Sequence, residues 1–200
     1  MTDFLIRVAK ASDAAAIRDI YTPFVKDTAI TFEVDVPTEA DFQERILSTL
    51  EMYPYLAAEF EGELIGYAYA ARQMERAAYQ WNATLSVYLG RQLGRGIGSA
   101  LYRTLMDILK LQNIHNVYGG ITSPNPASEA LHSKLGFTLL GRYKQTGFKA
   151  GQWHDVVWYE KRLTDEEEAL VSLLPPSPPI PFSELDGRLV ESVLSSYGHF

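Results

Sequence analysis

The sequence predicts an α+β fold: one mixed, mostly antiparallel sheet flanked by helices, followed by a proline-rich strap and a last short helix. Three observations predict it. Strand-like and helix-like periods alternate through the first 162 residues without settling into regular βα repeats. Two pairs of strand-like segments are joined by short turns with no helix between them, the mark of hairpins. Beyond residue 162 the composition changes abruptly.

The elements follow in order. Phe4 to Ala9 alternates as a strand, and Ser12-Asp13 is placed to cap a helix running to about Asp27. Pro37-Thr38 with Asp41 three positions on is a capping-box start for a helix to about Leu50. Tyr55 to Phe60, a turn at Glu61-Gly62-Glu63 and Leu64 to Ala70 form a β-hairpin. A strand from about Tyr79 to Leu89 leads into Gly94-Arg-Gly-Ile-Gly-Ser99 and a helix to Leu111, whose Leu101, Leu105, Ile108 and Leu109 follow the 3.6 period. Strand 116–122, helix 125–135 and a second antiparallel pair, 137–148 and 155–161, complete a first domain over residues 1–162. Residues 163–200 open with Asp165-Glu-Glu-Glu168 and a stretch carrying five of the ten prolines, stiff and close to polyproline II. Ser183 and Asp186 are placed to cap a last helix with Leu185, Leu189, Val193 and Leu194 on its apolar side. The strap either girds a partner subunit while the helix docks, or the segment is a solvated linker with a frayed end, since Gly187 weakens the helix.

Composition narrows the function. With 200 residues, 46% apolar and 22% charged, the chain buries a sizeable core. The net charge of −7 argues against a nucleic-acid scaffold. Residues 1–162 hold 18 acids and 17 bases, so the excess acidity sits in the last 38 residues, with seven acids and one base. The absence of cysteine removes disulfides, thiolate metal sites and cysteine nucleophiles. No apolar run approaches the ~20 residues that span a bilayer, and the N-terminus has no signal-peptide pattern. The expectation is a cytoplasmic protein that binds neither membrane nor nucleic acid. Trp153-His154-Asp155 looks like a metal or triad fragment, yet consecutive strand residues point to opposite faces, so no metal site is expected.

The chemically informative segment is Arg91 to Ser99, between a strand and an amphipathic helix. Its glycines let N–H groups approach an anion, and the helix N-terminus adds roughly half a positive charge. A phosphate belongs there unless the loop is a plain tight turn. A Walker loop needs a lysine that is missing. A Rossmann fingerprint wants a third Gly or Ala where Ser99 stands and an acid about 20 residues on, where Val117-Tyr-Gly-Gly-Ile121 lies instead.

The order of motifs resembles a known family. Leu93 to Gly98 is similar to the Q/R-x-x-G-x-G/A pyrophosphate loop of the GNAT acyltransferases, and Asn125 to Phe137 to that superfamily's second signature. Thr31-Phe32, Tyr53 to Leu56, Gly66 to Ala70, Arg76 to Trp81, Ser86 to Tyr88 and Gly147 to Val156 resemble the phosphinothricin N-acetyltransferase-like branch. The resemblance covers residues 4–162 and implies transfer of the acetyl group of acetyl-CoA to the primary amine of a small amino-acid-like molecule by a homodimer.

It also implies roles. Main-chain groups of Val87, Tyr88 and Leu89 align the pantetheine, and Gly94, Arg95, Gly96, Gly98 and Ser99 hold the pyrophosphate. Arg95 is either a phosphate-binding cation or a solvated arginine. Asn125 reaches the cofactor, caps a helix, or does both. His132 either protonates the departing thiolate or is a buried structural histidine. The branch carries a glutamate base where this chain has Thr84, which cannot accept a proton at neutral pH. Glu33 and Asp155 are then more distant candidates. Leu93 also replaces the usual Gln or Arg, and the stretch from Leu89 to Gly98 is about one residue short. Arg76 keeps a basic position for the acceptor's acidic end, whereas Met74 stands where a lysine is common. Phe32, Tyr79 and Tyr88 wall the acceptor pocket or pack the core. Two other readings stay open: an acetyl-CoA-binding module with weak or no turnover, suggested by Thr84, and a nucleotide-dependent oxidoreductase resting on the glycines alone.

Overall fold

Residues 4–90, 96–164 and 175–197 are described by the computed structural model of the chain. Its strands are β1 (Leu5–Val8), β2 (Tyr55–Phe60), β3 (Glu63–Arg72), β4 (Asn82–Leu89), β5 (Asn116–Ser123), β6 (Thr138–Lys149) and β7 (Gln152–Arg162). Its helices are α1 (Ala14–Asp27), α2 (Glu39–Met52), α3 (Ile97–Leu111), α4 (Pro126–Lys134) and α5 (Gly187–Tyr197). The strands form one sheet in the order β1-β2-β3-β4-β5-β7-β6. Only β4 and β5 run parallel; every other neighbouring pair is antiparallel. No helix among the described residues is long and apolar enough to cross a membrane.

Both faces of the sheet centre are covered, because alternate residues of each strand supply two different cores. On β2, Tyr55 and Ala57 face α1 and α2, and Leu56 and Ala58 face α3. The α3 side is aliphatic, with Leu101, Leu105, Ile108 and Leu109 fully buried. The α1–α2 side is aromatic: Tyr55 stacks on Tyr69 (ring centroids 5.0 Å), and Tyr67 on Tyr88 (5.3 Å).

Local chemistry explains where the elements depart from expectation. The Thr38–Asp41 capping box forms as its spacing predicts, Asp41 N–H donating to Thr38 Oγ1 and Thr38 N–H to Asp41 Oδ2 (3.2 and 2.7 Å). Asp13, however, sits inside a 3₁₀ turn over Ala11–Asp13, where its carboxylate accepts from Lys10 N–H and pairs with Arg7 (2.7 Å). The strand expected from Tyr79 begins at Asn82, because Ala77–Tyr79 form another 3₁₀ turn. The last hairpin is longer than its pattern suggests, β7 starting at Gln152.

Past the first 162 residues, the strap has no regular secondary structure from residue 175 to 181, and its carbonyls accept hydrogen bonds from the preceding domain. Trp81 Nε1 donates to Ser177 O (2.8 Å), and Asn113 Nδ2 to Pro178 O (3.1 Å). Fully buried Gln112 donates from Nε2 to both Met52 O and Ile180 O (2.7 and 2.8 Å), tying α2, the end of α3 and the strap together. Each such bond is worth about 1 kcal/mol net. Asp186 caps α5 by accepting from Arg188 N–H (2.9 Å), but Ser183 donates to Glu51 O instead of capping. The docked face of α5 carries Val190 and Leu194, whereas Leu189, expected inside, is 52% exposed. Docking on α3 at this angle turns position 190 inward, and Tyr197 Oη fixes the far end on Asp107 Oδ2 (2.6 Å).

Candidate functional site

Between β4 and β5 the sheet opens. Parallel pairing runs from Asn82 opposite Asn116 to Thr84 opposite Tyr118 and stops there. Beyond that point β4 stays with β3 as far as Leu89, and β5 with β7 as far as Ser123. Each strand follows its antiparallel neighbour, so the two part and leave a cleft of about 1070 Å³, walled on the outside by Ile20, Pro23 and Phe24 of α1.

One hydrogen bond fixes the direction of the main chain in this cleft. Gly90 N–H donates to Ile65 O (2.8 Å), and peptide groups two residues apart in an antiparallel ladder point the same way. Tyr88, Ser86 and Thr84 therefore direct their main-chain groups at β3, and Val87 and Leu89 direct theirs at the cleft. Tyr88 lines the cleft with its ring. Leu85 also points its carbonyl inward, and the buried Tyr102 hydroxyl donates to it (3.2 Å).

The mouth of the cleft meets the start of α3. Gly96 takes a left-handed conformation (φ 75°), which a glycine adopts without strain, and the first helical bond is Ala100 N–H to Gly96 O (3.0 Å). The N–H groups of Ile97, Gly98 and Ser99 precede any helical acceptor, and the helix dipole adds positive potential at the same spot. A Cβ on Gly98 would meet Leu89 Cδ1 at 3.5 Å and Leu131 Cδ2 at 3.6 Å, two side chains that line the cleft. Gly94 and Arg95, expected to complete this loop, lie outside the described residues.

Asn125 and His132 enter from α4. Asn125 caps that helix, its Oδ1 accepting from Ser128 N–H (3.2 Å) ahead of Pro126 at the first helical position. Its amide nitrogen has no partner among the described residues, and the residue lines the cleft. His132 is 1% exposed, ringed by Tyr102, Phe137 and Tyr159. Its Nδ1 lies 2.8 Å from Ser128 O, which only accepts, so Nδ1 carries the proton and donates. Nε2, buried and without a partner among the described residues, then holds a lone pair. Burial drives the ring below its ordinary pKa of 6.5, the Ser128 bond opposing. His132 is thus the neutral imidazole at pH 7, with its lone pair on Nε2. Gly119 makes this possible, since a Cβ there would fall within contact-forbidden range of Nε2, at 2.2 Å.

The acceptor-side candidates are spread more widely. Thr84 stands half-buried at the last paired position, with Ala71 and Tyr118 opposite it on the neighbouring strands. Phe32 packs over Gly147 and lies 6.3 Å from the ring of His154. Arg76 and Tyr79 are exposed and line neither the cleft nor the cavity described next. Asp155 accepts from Gln145 N–H (2.8 Å) and from Arg142 (3.1 Å); these bonds, the backbone one foremost, hold it below the usual carboxylate range and weaken it as a base. Glu33 pairs with Arg45 (2.9 Å) at the edge of a second cavity of about 310 Å³ under α2. Sequence reasoning missed Tyr102 and Arg45. Tyr102 was legible as a phenol beside Leu101 on the buried stripe of α3; nothing local marked Arg45. Among the described residues no three His, Asp or Glu side chains gather where they could hold a metal ion.

Residues 6–158 match the acetyltransferase (GNAT) domain. Over 163 residues the chain is 36% identical to the phosphinothricin N-acetyltransferase of Streptomyces coelicolor, covering 79% of this chain and 95% of that protein. It is 33% identical to the L-methionine sulfoximine/L-methionine sulfone acetyltransferase of Salmonella typhimurium, covering 82% and 96%. The crystal structure of a GNAT superfamily phosphinothricin acetyltransferase from Sinorhizobium meliloti, in complex with acetyl-CoA, superposes with a TM-score of 0.80 at 34% identity, over 88% of this chain and 94% of that one. The domain match spans most of the chain and the relatives align along nearly their full length: the chain belongs to the GNAT acetyltransferase family.

Proposed function

We propose that this chain moves the acetyl group of acetyl-CoA to the primary amine of a small amino-acid-like molecule of the phosphinothricin or methionine sulfone type. The observation that carries the reading is the parted β4–β5 pair, with main-chain groups of Val87 and Leu89 turned into a cleft that ends at the free N–H groups of α3. These groups suit a ligand with peptide-like amides at one end and a diphosphate at the other. Val87 and Leu89 would pair with the pantetheine amides while the Tyr88 ring flanks them. Gly96, Gly98 and Ser99, with Gly94 and Arg95 of the preceding loop, would hold the pyrophosphate, and the Asn125 amide would reach the cofactor's edge. A strand N–H would polarise the thioester carbonyl.

His132 supplies the proton chemistry in this reading. Entering neutral, its Nε2 would accept through water one of the two protons that the acceptor nitrogen sheds between ammonium and amide and return it to the departing thiolate, the other proton passing to solvent. Phe32, packed over Gly147, is kept as an acceptor-side residue, whereas Arg76 and Tyr79, exposed and lining neither space, are kept on the family resemblance alone. A second reading, an acetyl-CoA-binding module with weak turnover, draws on Thr84. Exposed Leu139, Leu140, Tyr143, Phe148 and Trp153 on the β6–β7 hairpin support a homodimer through that face, and the cytoplasm is the compartment proposed.

Three measurements check these proposals. A thiol-release assay with acetyl-CoA and an amine panel including phosphinothricin and methionine sulfone should show turnover, and Thr84→Glu should raise the rate several-fold or more at pH 7–8. Coenzyme A binding with no release on any amine selects the second reading, and an unchanged Thr84→Glu rate shows the carboxylate to be irrelevant. The second concerns His132: because the fold keeps its pKa below 6.5, the unfolded chain takes up a proton below that pH which the fold refuses. Stability is therefore complete above about pH 6.5 and falls below it. Thermal melts between pH 5 and 7.5 should show this slope in the wild type and a flatter one in His132→Gln; equal slopes contradict the assignment. In the third, sedimentation should find a dimer that Tyr143→Glu with Phe148→Glu converts to monomer, whereas a monomeric wild type removes that proposal.

A further inference from the structure

The strap and α5 lie beyond residues 6–158, which match the acetyltransferase domain, so the family match gives them no role. The hydrogen bonds of the strap gather at one place. Trp81 Nε1 donates to Ser177 O (2.8 Å) from the residue before β4, and Asn113 Nδ2 donates to Pro178 O (3.1 Å) from the turn that leads into β5. Gln112, at the end of α3, exchanges two bonds with Ile180, its Nε2 donating to the Ile180 carbonyl (2.8 Å) and the Ile180 N–H to its own carbonyl (3.0 Å). We propose that the strap is a clamp on the closed end of the cleft: it ties the start of β4 to the turn before β5, sets the spacing from which the two strands part, and so presets the cleft for its ligand. Trp81, Gln112 and Asn113 are its positioning residues, and none of them lines the cleft.

The way the sheet is divided makes such a clamp matter. β1-β2-β3-β4 and β5-β7-β6 are each antiparallel throughout, and the two halves pair only where Asn82 lies opposite Asn116, Ala83 opposite Val117 and Thr84 opposite Tyr118. Three parallel pairs make a short joint, and parallel pairing is slightly the weaker kind. Trp81 stands at the end of this joint, where its carbonyl accepts from His115 N–H (2.9 Å) and Asn116 N–H (3.3 Å). One residue therefore carries a main-chain link to β5 and a side-chain link to the strap. Sliding β4 against β5 strains both.

The composition of the strap suits a strut. Five of the seven residues from 175 to 181 are proline, whose ring fixes φ and removes the N–H. A stiff segment has little chain entropy to lose when it is bound, and it carries a displacement from one end to the other. Its far end is anchored where α5 docks, with Val190 and Leu194 in the core beneath α3 and Tyr197 Oη on Asp107 Oδ2 (2.6 Å). Ser177, Pro178 and Ile180 give their carbonyls to donors of their own chain, so the clamp closes within one subunit.

Residue-resolved amide exchange tests the clamp in wild type, Trp81→Phe, Asn113→Gly, the double variant and Tyr197→Phe. Phe keeps a ring without the N–H, and Gly adopts the left-handed backbone of Asn113 (φ 62°) without strain. Tyr197→Phe removes a bond of the same extension that reaches neither strand. Asn116 and Tyr118 point their N–H groups at β4 and report the joint. Each single loss at the clamp should speed exchange at both amides roughly fivefold, and the double variant more than about tenfold. Tyr197→Phe should lower the melting temperature as the others do, yet leave both amides within about twofold of wild type. Wild-type exchange in the double variant, or exchange that follows the melting temperature whichever bond is lost, would overturn the proposal. Coenzyme A reads the link to the cleft, and this arm alone rests on the acetyl-transfer reading. At about 100 times its Kd it should slow Asn116 and Tyr118 by about tenfold or more, although neither residue lines the cleft. No slowing at saturation overturns the claim that the clamp presets the cleft. A chain that binds no coenzyme A overturns the acetyl-transfer reading, while the variants still decide the clamp.

Discussion

Everything at the site depends on the loss of parallel pairing between β4 and β5 after Thr84. A buried peptide group without a partner is costly, and sheets seldom leave one. Here β3 holds one edge of β4 along its whole length while β7 draws β5 away, so the other edge is orphaned by topology and not by local sequence. Tyr102 satisfies the first orphan, the Leu85 carbonyl, and leaves Val87 and Leu89 facing an open cleft. The aliphatic layer beneath α3 and the tyrosine layer beneath α1 and α2 keep the parted strands rigid from both sides. A ligand offering amides would complete the sheet, and the start of α3, with its unpaired N–H groups, stands where such a ligand would continue.

The threonine at position 84, where the resemblance implies a glutamate, acquires a chemical context from the structure. A histidine at its ordinary pKa could serve as the departing group's acid from the outset. Burial keeps the His132 ring neutral and the bond to Ser128 leaves its lone pair on Nε2, so the proton acceptor proposed for the cleft is on α4 and not on β4. Gly119 is the matching constraint on β5, since any side chain there would occupy the position of Nε2. The proline strap and α5 brace the α3 side of the sheet, the strap at the far end of α3 and the start of β4 through Gln112 and Trp81.

The sequence carried local information well. The Thr38–Asp41 box, the Tyr55–Arg72 hairpin and the apolar stripe of α3 depend on contacts within a few residues, and each forms as its spacing implies. The misreadings involve competition at longer range. Asp13 was drawn from its helix by Arg7, a residue on β1, and Ser183 from its cap by Glu51, at the end of α2. Leu189 lies at the edge of the apolar stripe of α5, and whether an edge position turns inward depends on how the helix meets α3, which periodicity does not encode. The candidate site divides the same way. The glycines and the Asn125 helix were visible because each is a continuous motif, whereas the parting of β4 from β5 that opens the cleft is arranged only by the tertiary fold.

The central claim is that coenzyme A completes the free edge of β4. Residue-resolved amide hydrogen exchange with and without coenzyme A tests it most directly. Exchange at Val87 and Leu89 should slow markedly on addition, along with Gly98 and Ser99, while Tyr88, already bonded to β3, changes little. Unaltered exchange at Val87 and Leu89 under saturating coenzyme A, or protection confined to Tyr88, would contradict the account.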